Sequence, residues 1–374
     1  MPNSSANSQR IAMLAPGEIF GGAERQILLL LSHLAGGGHS AYLLCFHDRE
    51  LAARARALGI PTLVLAARPA LSLRNARLIG ALLAREQIPV LHVHGYKAAA
   101  HALLARRHAA FSVVRTEHGG MEAQNANPLR NLKPRLFRAV ENLATRLLRG
   151  HVVYVTRDLA RQAAQQHAGV ASSVIVNGVE PIGVHAPPPE LARGAGHWNA
   201  VVVGRLEPVK GIEFAIRALA NACVPQRVRL WIVGDGPLRA ELESLARSLL
   251  PEGRVHFAGF RRDAVSFIAN ADALLMPSLH EGLPYTLLEA IGAGVPVVAS
   301  DVGGLAEVLV NERSALLVPV GDVAKLATAI ARLATDQGLA RALASHATET
   351  VGREHTAQKM GDAYLELYRS LNAD

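Results

Sequence analysis

The sequence predicts an α/β protein with two Rossmann-like parallel-sheet domains facing a cleft. Three observations carry that expectation. The chain has 374 residues, more than one hydrophobic core usually holds. Short apolar runs of strand length alternate with longer runs of helical periodicity, the pattern of βαβ units. The alternation occurs twice, on either side of HAPPPELARGAGHW at 185–198. That stretch is rich in Pro, Ala and Gly and has no periodicity, so it reads as a linker.

The first series opens with RIAMLA at 10–15, a predicted buried strand. A glycine-rich turn follows, then a predicted helix over 23–35 with Ile27, Leu28, Leu31 and Leu34 at helical spacing. Further strands are predicted over 40–46, 62–65, 90–93, 112–116, 152–156 and 174–176, with helical patterns between them. The second series predicts strands over 199–203, 229–233, 254–257, 273–276, 297–299 and 315–318. Helices are predicted over 211–222, 237–250, 284–293 and 323–335. The expected division is therefore 1–184, a linker at 185–198, and 199–350. From 351 to 374 a last helix carries Met360, Tyr364, Leu365, Leu367 and Tyr368 as an apolar stripe.

Composition narrows the class. Half the residues are hydrophobic and 19% are charged, as in a globular chain. Aromatics at 4% argue against a carbohydrate-binding sandwich built on Trp and Tyr. The two cysteines, Cys45 and Cys223, each sit in or near an apolar run. They read as buried free thiols suited to a reducing compartment. The opening MPNSSANSQR has no apolar h-region, and no run approaches the roughly 18 apolar residues of a membrane span. A cytoplasmic location is expected.

Charge is uneven. Residues 1–185 carry 21 Lys and Arg against 10 Asp and Glu, and the remainder 18 against 21. No aromatic-rich RNA motif or zinc finger accompanies the basic half, so no nucleic-acid partner is expected. An anionic membrane surface or a lipid-diphosphate acceptor suits it better. The segment LRNLKPRLFRAVENLATRLLRG at 129–150 interleaves basic and apolar residues, as a helix on a membrane surface would. Such contact would make the protein peripheral at the inner face of the plasma membrane.

The most informative stretch is PSLHEGLPYTLLEA at 277–290. Pro284 suits a first helical turn, and the free amides there suit an anionic ligand. Glu281 and Glu289 are expected to project to one side, where two carboxylates could grip the hydroxyls of a sugar nucleotide. Gly21 and Gly22 precede the first long helix and let backbone approach a ligand. Gly234 and Gly236, in GDGP, either turn the chain sharply or bring backbone near a nucleotide. His92 and His94 lie two apart on a predicted strand, with His101 nearby. No Cys or carboxylate accompanies them in a ligand pattern, so no metal site is expected.

These blocks resemble the retaining glycosyltransferases of the GT-B fold, of the family 4 or "group 1" type. GGAER at 21–25, RTEHG at 115–119, NGV at 177–179, GRLEPVKG at 204–211, GDGP at 234–237, PSLHEGLPYTLLEA and GVPVVASDVGGLAEV at 294–308 stand in the family's order. The resemblance implies a nucleotide-sugar donor, a UDP-sugar on family frequency, held by the second domain. It implies a glycan or lipid-linked acceptor held by the first. Transfer would retain anomeric configuration by front-face displacement and need no cofactor and no catalytic metal.

By the same resemblance Arg205 and Lys210 would neutralise the departing diphosphate. Glu289 would bind the ribose. Glu281, with the backbone of Gly282 and Leu283, would bind the transferred sugar. His118 would stand near the reacting centre, and Gly21, Gly22, Gly234 and Gly236 near the donor. The last helix would return to the first domain. Thr156, Glu180, Ile291 and Gly292 are mild departures from the family pattern. Two other readings fit the architecture: a non-hydrolysing UDP-sugar epimerase, and a non-catalytic sugar-nucleotide-binding protein.

Overall fold

A computed structural model describes residues 8–69, 71–119, 132–164, 169–191 and 196–372. Residues 120–131, and 192–195 within the linker at 185–198, lie outside these described residues. The chain divides into two compact units. One is Met1–Gly178 with Ala357–Asp374, and the other is Val179–Thr356.

The first unit is built on β1 (Arg10–Ala15), β2 (Ser40–Cys45), β3 (Thr62–Val64), β4 (Val90–Val93), β5 (Ser112–Glu117), β6 (His151–Tyr154) and β7 (Ser172–Val174). All neighbours pair in parallel, in the order β3-β2-β1-β4-β5-β6-β7. The second unit holds β8 (Trp198–Val203), β9 (Val228–Val233), β10 (Val255–Gly259), β11 (Ala273–Met276), β12 (Val297–Ser300) and β13 (Leu316–Val318). These strands are also parallel, in the order β10-β9-β8-β11-β12-β13. Strands β4, β11 and β12 are buried at every residue. That is why they read as continuous apolar runs without alternation.

Helices cover the sheets through their apolar stripes. In Gly22–Gly36 the residues Ile27, Leu30, Leu31 and Leu34 turn into the core. Helix Ala357–Ser370 sends Met360, Tyr364, Leu365 and Tyr368 into the same core, which places the chain's last helix in the first unit. Its tyrosines are tied in by polar bonds. Tyr368 Oη lies 2.7 Å from His92 Nδ1, and Tyr364 Oη lies 2.8 Å from Thr116 Oγ1. Gln26, also buried, donates to Asn177 Oδ1 at 2.8 Å. Each bond satisfies a polar group that burial would otherwise leave costly.

Four expectations need correction. The last strand of the first sheet is Ser172–Val174, two residues earlier than predicted, because an edge strand reading Ser-Ser-Val carries little apolar signal. The helix predicted over 211–222 is Ile212–Leu219, since Gly211 is left-handed at its start and a turn follows it. Cys223 lies in that turn and is exposed, while Cys45 is buried as expected. The last helix begins at Ala357, after a π-type turn at Thr348–Gly352.

Each sheet reverses its strand order beside its first strand, between β1 and β4 and between β8 and β11. In open α/β sheets the loops leaving the carboxyl ends of such strands diverge, and a ligand crevice opens between them.

Candidate active site

In the second unit the two diverging loops are 204–211, after β8, and 277–284, after β11. They are pinned together. Leu279 N–H donates to the Val209 carbonyl at 2.8 Å. Gly211 has φ +57°, and a Cβ there would fall 2.1 Å from the Pro277 carbonyl oxygen, so no larger residue lets the loops close. Lys210 ends the 3-10 turn Pro208–Lys210. Its stem runs over Gly204, where a Cβ would sit 3.5 Å from Lys210 Cε.

From there Lys210 Nζ reaches Glu281 Oε1 at 2.6 Å. Ser278 Oγ donates to the same oxygen at 2.8 Å. Glu281 is only 8% exposed, and a carboxylate that buried requires this pairing. Its carbonyl accepts from Gly304 N–H at 3.0 Å, so the backbone is held as well as the side chain. Ser278 was missed in the sequence. The signal available was its place three residues before Glu281 in PSLHEG.

Arg205 stands in the same loop, is largely exposed, and forms an ion pair with Glu207. Gly234 and Gly236 are explained by chain packing. A Cβ on Gly234 would lie 1.9 Å from the Gly204 carbonyl oxygen, and one on Gly236 would lie 2.7 Å from Leu206 N. Leu206 N–H donates to the Asp235 carbonyl at 3.0 Å, and Leu238 N–H to the Leu206 carbonyl at 3.1 Å. GDGP therefore clamps the segment that leads to Arg205 and Lys210.

Glu281 and Glu289 do not share a helix. Pro284 is extended, with ψ 142°, and the helix runs from Tyr285 to Gly292. A proline disfavours helical backbone in the residue before it, so Glu281 stays in the loop. Glu289 lies within the helix and is 2% exposed. Gly282 is partly exposed. Leu283 buries its side chain, so it can meet a ligand only through its backbone.

The first unit places the remaining residues around its own switch point. Gly21 and Gly22 are exposed at the start of helix Gly22–Gly36. The Gly21 N–H is held by the Glu24 carboxylate at 3.1 Å, and burial pushes that carboxyl above its ordinary range. His94 follows β4, and His118 follows β5 on the neighbouring strand. His94 Nδ1 lies 3.0 Å from His118 Nε2. Burial lowers His118 to about 4, and it holds His94 well below the ordinary histidine value.

The other two histidines belong to the scaffold. His92 Nε2 lies 2.8 Å from Thr116 Oγ1, so both its ring nitrogens are engaged, and burial lowers it to about 3. His101 accepts from Ser72 N–H at 3.2 Å and donates to the Lys97 carbonyl at 2.8 Å. Among the described residues no group of three His, Cys, Asp or Glu side chains is placed to hold a metal ion.

Two family models match the chain. "Glycosyltransferase Family 4" matches residues 20–181, and "Glycosyl transferases group 1" matches residues 198–336. The lipopolysaccharide core biosynthesis glycosyltransferase LpsD of Rhizobium meliloti is 36% identical over 187 residues, 49% of this chain and 54% of that protein. The 2-deoxystreptamine glucosyltransferase of Streptomyces kanamyceticus is 34% identical over 213 residues, 54% of this chain and 55% of that protein. The chain thus spans about half the length of the curated relatives it matches. Among solved structures, Anabaena HepE in complex with UDP superposes with a TM-score of 0.82 at 22% identity, over 97% of this chain and 100% of that one. WaaG, a glycosyltransferase involved in lipopolysaccharide biosynthesis, superposes with a TM-score of 0.73 at 19% identity, over 96% and 99%.

Proposed function

We propose that this chain, which belongs to the GT-B glycosyltransferases, transfers a sugar from a UDP-sugar to a glycan or lipid-linked acceptor. The product would be a bacterial cell-surface polysaccharide or glycoconjugate, and transfer would retain anomeric configuration. The observation that carries this reading is the Lys210–Glu281 pair at the switch point of the second sheet, with Ser278 on the same carboxylate oxygen. The HepE complexes with UDP and with UDP-glucose, and the lipopolysaccharide role of LpsD, support the donor and the pathway class.

In the proposed chemistry, Lys210 and Arg205 face the diphosphate as the glycosidic bond breaks. Negative charge grows on the leaving oxygen, and fixed cations stabilise that state more than the ground state. Lys210 is held by the stem contact at Gly204 and by Glu281, so it loses little freedom on binding. Glu281 takes a hydroxyl of the sugar, the backbone of Gly282 and Leu283 adds donors, and Glu289 takes the ribose. Gly234 and Gly236 act by fixing the loop that carries the cations. By the family resemblance His118 is assigned to the reacting centre, and Gly21 and Gly22 to the donor. No metal enters this scheme, because side chains supply the positive charge.

A membrane-facing first unit is part of the reading. In helix Leu132–Leu147 the exposed residues Leu136, Val140, Leu143 and Leu147 fall at spacings that make one face. Arg146 and Arg149 are exposed near its end. Helix Leu73–Arg85 also exposes Leu73, Arg74, Arg77 and Leu78. Apolar residues flanked by cations suit an anionic lipid surface. No helix among the described residues is long and apolar enough to cross a membrane.

Calorimetry with UDP, UDP-sugars and GDP-sugars tests the donor assignment. UDP-sugars should bind, and Lys210→Ala should weaken them at least roughly ten-fold, the loss expected of a charged hydrogen bond to phosphate. Binding of GDP-sugars alone, or binding indifferent to Lys210, would end the assignment. Product analysis with and without added acceptor separates transfer from epimerisation.

A further inference from the structure

We infer that His94 is a positioning residue for His118. Its Nδ1–H donates to Nε2 of His118 and so keeps the His118 proton on Nδ1, making His118 a hydrogen-bond donor toward the reacting sugar and not a base. The role in the reaction rests on the reading of His118 as an active-site group. The hydrogen bond itself does not.

Geometry comes first. The two ring nitrogens are 3.0 Å apart and the ring centroids 5.3 Å apart. The difference is about the sum of the two ring radii, so the nitrogen–nitrogen line runs through both ring centres. The rings therefore meet edge to edge, along the in-plane direction of the lone pair, with their planes only 27° apart. The backbone fixes both ends. His94 N–H donates to the Leu14 carbonyl at 2.9 Å, and β4 and β5 are paired in register up to Val93 and Arg115.

Donor and acceptor follow from burial. His94 is 2% exposed, and its Nε2 has no hydrogen-bond partner among the described residues. That nitrogen carries either an orphaned N–H or an orphaned lone pair. Buried N–H groups without a partner are the rarer and costlier case for the backbone, and the same desolvation argument holds for an imidazole. The lone pair therefore sits on Nε2, and the proton on Nδ1 points at His118. With a donor aimed at its Nε2, a neutral His118 must carry its own proton on Nδ1. Burial keeps both rings neutral at pH 7.

His92 cannot take over this task. Both its ring nitrogens are committed to Tyr368 and Thr116, and it meets His94 as a ring contact with centroids 4.3 Å apart. It limits the tilt of His94 without hydrogen-bonding to it. The pattern is that of a ligand whose tautomer is set by the bond its other nitrogen makes.

The test uses the full chain with 15N-labelled histidine and long-range 1H–15N correlation spectra, assigned with His118→Gln and His94→Phe. In the wild type the unprotonated ring nitrogen of His118 should be Nε2. In His94→Phe, which keeps an aromatic ring but no donor, the His118 resonances should move toward a mixture of tautomers. Turnover should fall at least roughly ten-fold, the scale on which lost supporting hydrogen bonds act, with donor KM little changed. His94→Gln, whose amide N–H can still donate, should restore the Nδ1–H tautomer and most of the turnover. That second variant also guards against a fold defect in the first. A wild-type His118 protonated at Nε2, or a tautomer indifferent to His94→Phe, overturns the inference. Correct tautomers with unchanged turnover in both His94→Phe and His118→Gln overturn the positioning role by removing His118 from the active site, and leave the hydrogen bond standing.

Discussion

Lys210 and Glu281 are 71 residues apart in the chain, yet Nζ and Oε1 lie 2.6 Å apart. Both belong to loops that leave adjacent parallel strands at the point where the sheet reverses order. The pair joins a cation proposed for the diphosphate to a carboxylate proposed for the sugar. Losing either side therefore affects both tasks. Lys210→Ala is expected to reduce turnover about 10²-fold or more, the scale of one preorganised electrostatic group. Steady-state kinetics with a UDP-sugar checks this, and near-normal turnover would remove Lys210 from the mechanism.

Glu289 has a different assignment and should fail differently. Truncation to alanine leaves the Lys210–Glu281 pair in place, so Glu289→Ala should raise donor KM more than it lowers kcat. Calorimetric titration with UDP reads the effect directly. Unchanged affinity for the nucleotide would refute a ribose contact.

Gly234 is held against Gly204 by a contact no side chain can share. Gly234→Ala is expected to cost at least about 3 kcal/mol, from the clash and the positive φ together, and to lower the unfolding midpoint. Gly253→Ala is the control. Its φ is +79° but a Cβ there meets nothing within 4 Å, so only backbone strain of about 1–2 kcal/mol is expected. Equal losses in a urea titration would mean that the packing against Gly204 is not what matters.

The exposed stripe on helix Leu132–Leu147 makes a prediction about lipid. Sedimentation with vesicles containing phosphatidylglycerol should carry the protein down at low salt and release it at high salt. Leu143→Glu together with Leu147→Glu should abolish binding, because both side chains are more than half exposed and bury little in the fold. Binding that survives both substitutions would place the lipid contact elsewhere.

Acid should destabilise the first unit through its buried histidines. His92 and His94 have folded values below the unfolded one, so below about pH 6.5 the unfolded chain binds protons that the folded chain does not. Stability then rises with pH across this window and is lost on acidification. For His92, with a folded value of about 3, the loss between pH 6.5 and 5 is about 1.6 kcal/mol, and His94 adds to it in the same direction. Urea unfolding at pH 7, 6 and 5 measures the slope, and a flat profile would mean that these rings are not buried neutral.

The sequence made the layered plan legible because parallel strands buried on both faces leave short unbroken apolar runs. Val90–Val93 and Ala273–Met276 could be read to the residue for that reason. Ser172–Val174 could not, since an edge strand needs no apolar face. Likewise Lys210 and Glu281 stood out as charged residues in glycine-bearing loops, and Glu289 as a carboxylate on the helix that follows, whereas Ser278 and His94 looked like ordinary members of a loop and a strand end.

By itself the sequence determined the α/β class and the two strand–helix series, because periodicity and turn chemistry are local properties of the chain; the charged residues proposed for a sugar nucleotide were singled out by the resemblance of their motifs to a family. Only the tertiary structure decided which of those residues meet. The reversal of strand order brings the loops after β8 and β11 together and puts Lys210 on Glu281. The register of β4 with β5 sets His94 against His118. Contacts between residues far apart in the chain are fixed by strand order and packing, and neither is written in the spacing of the residues they join.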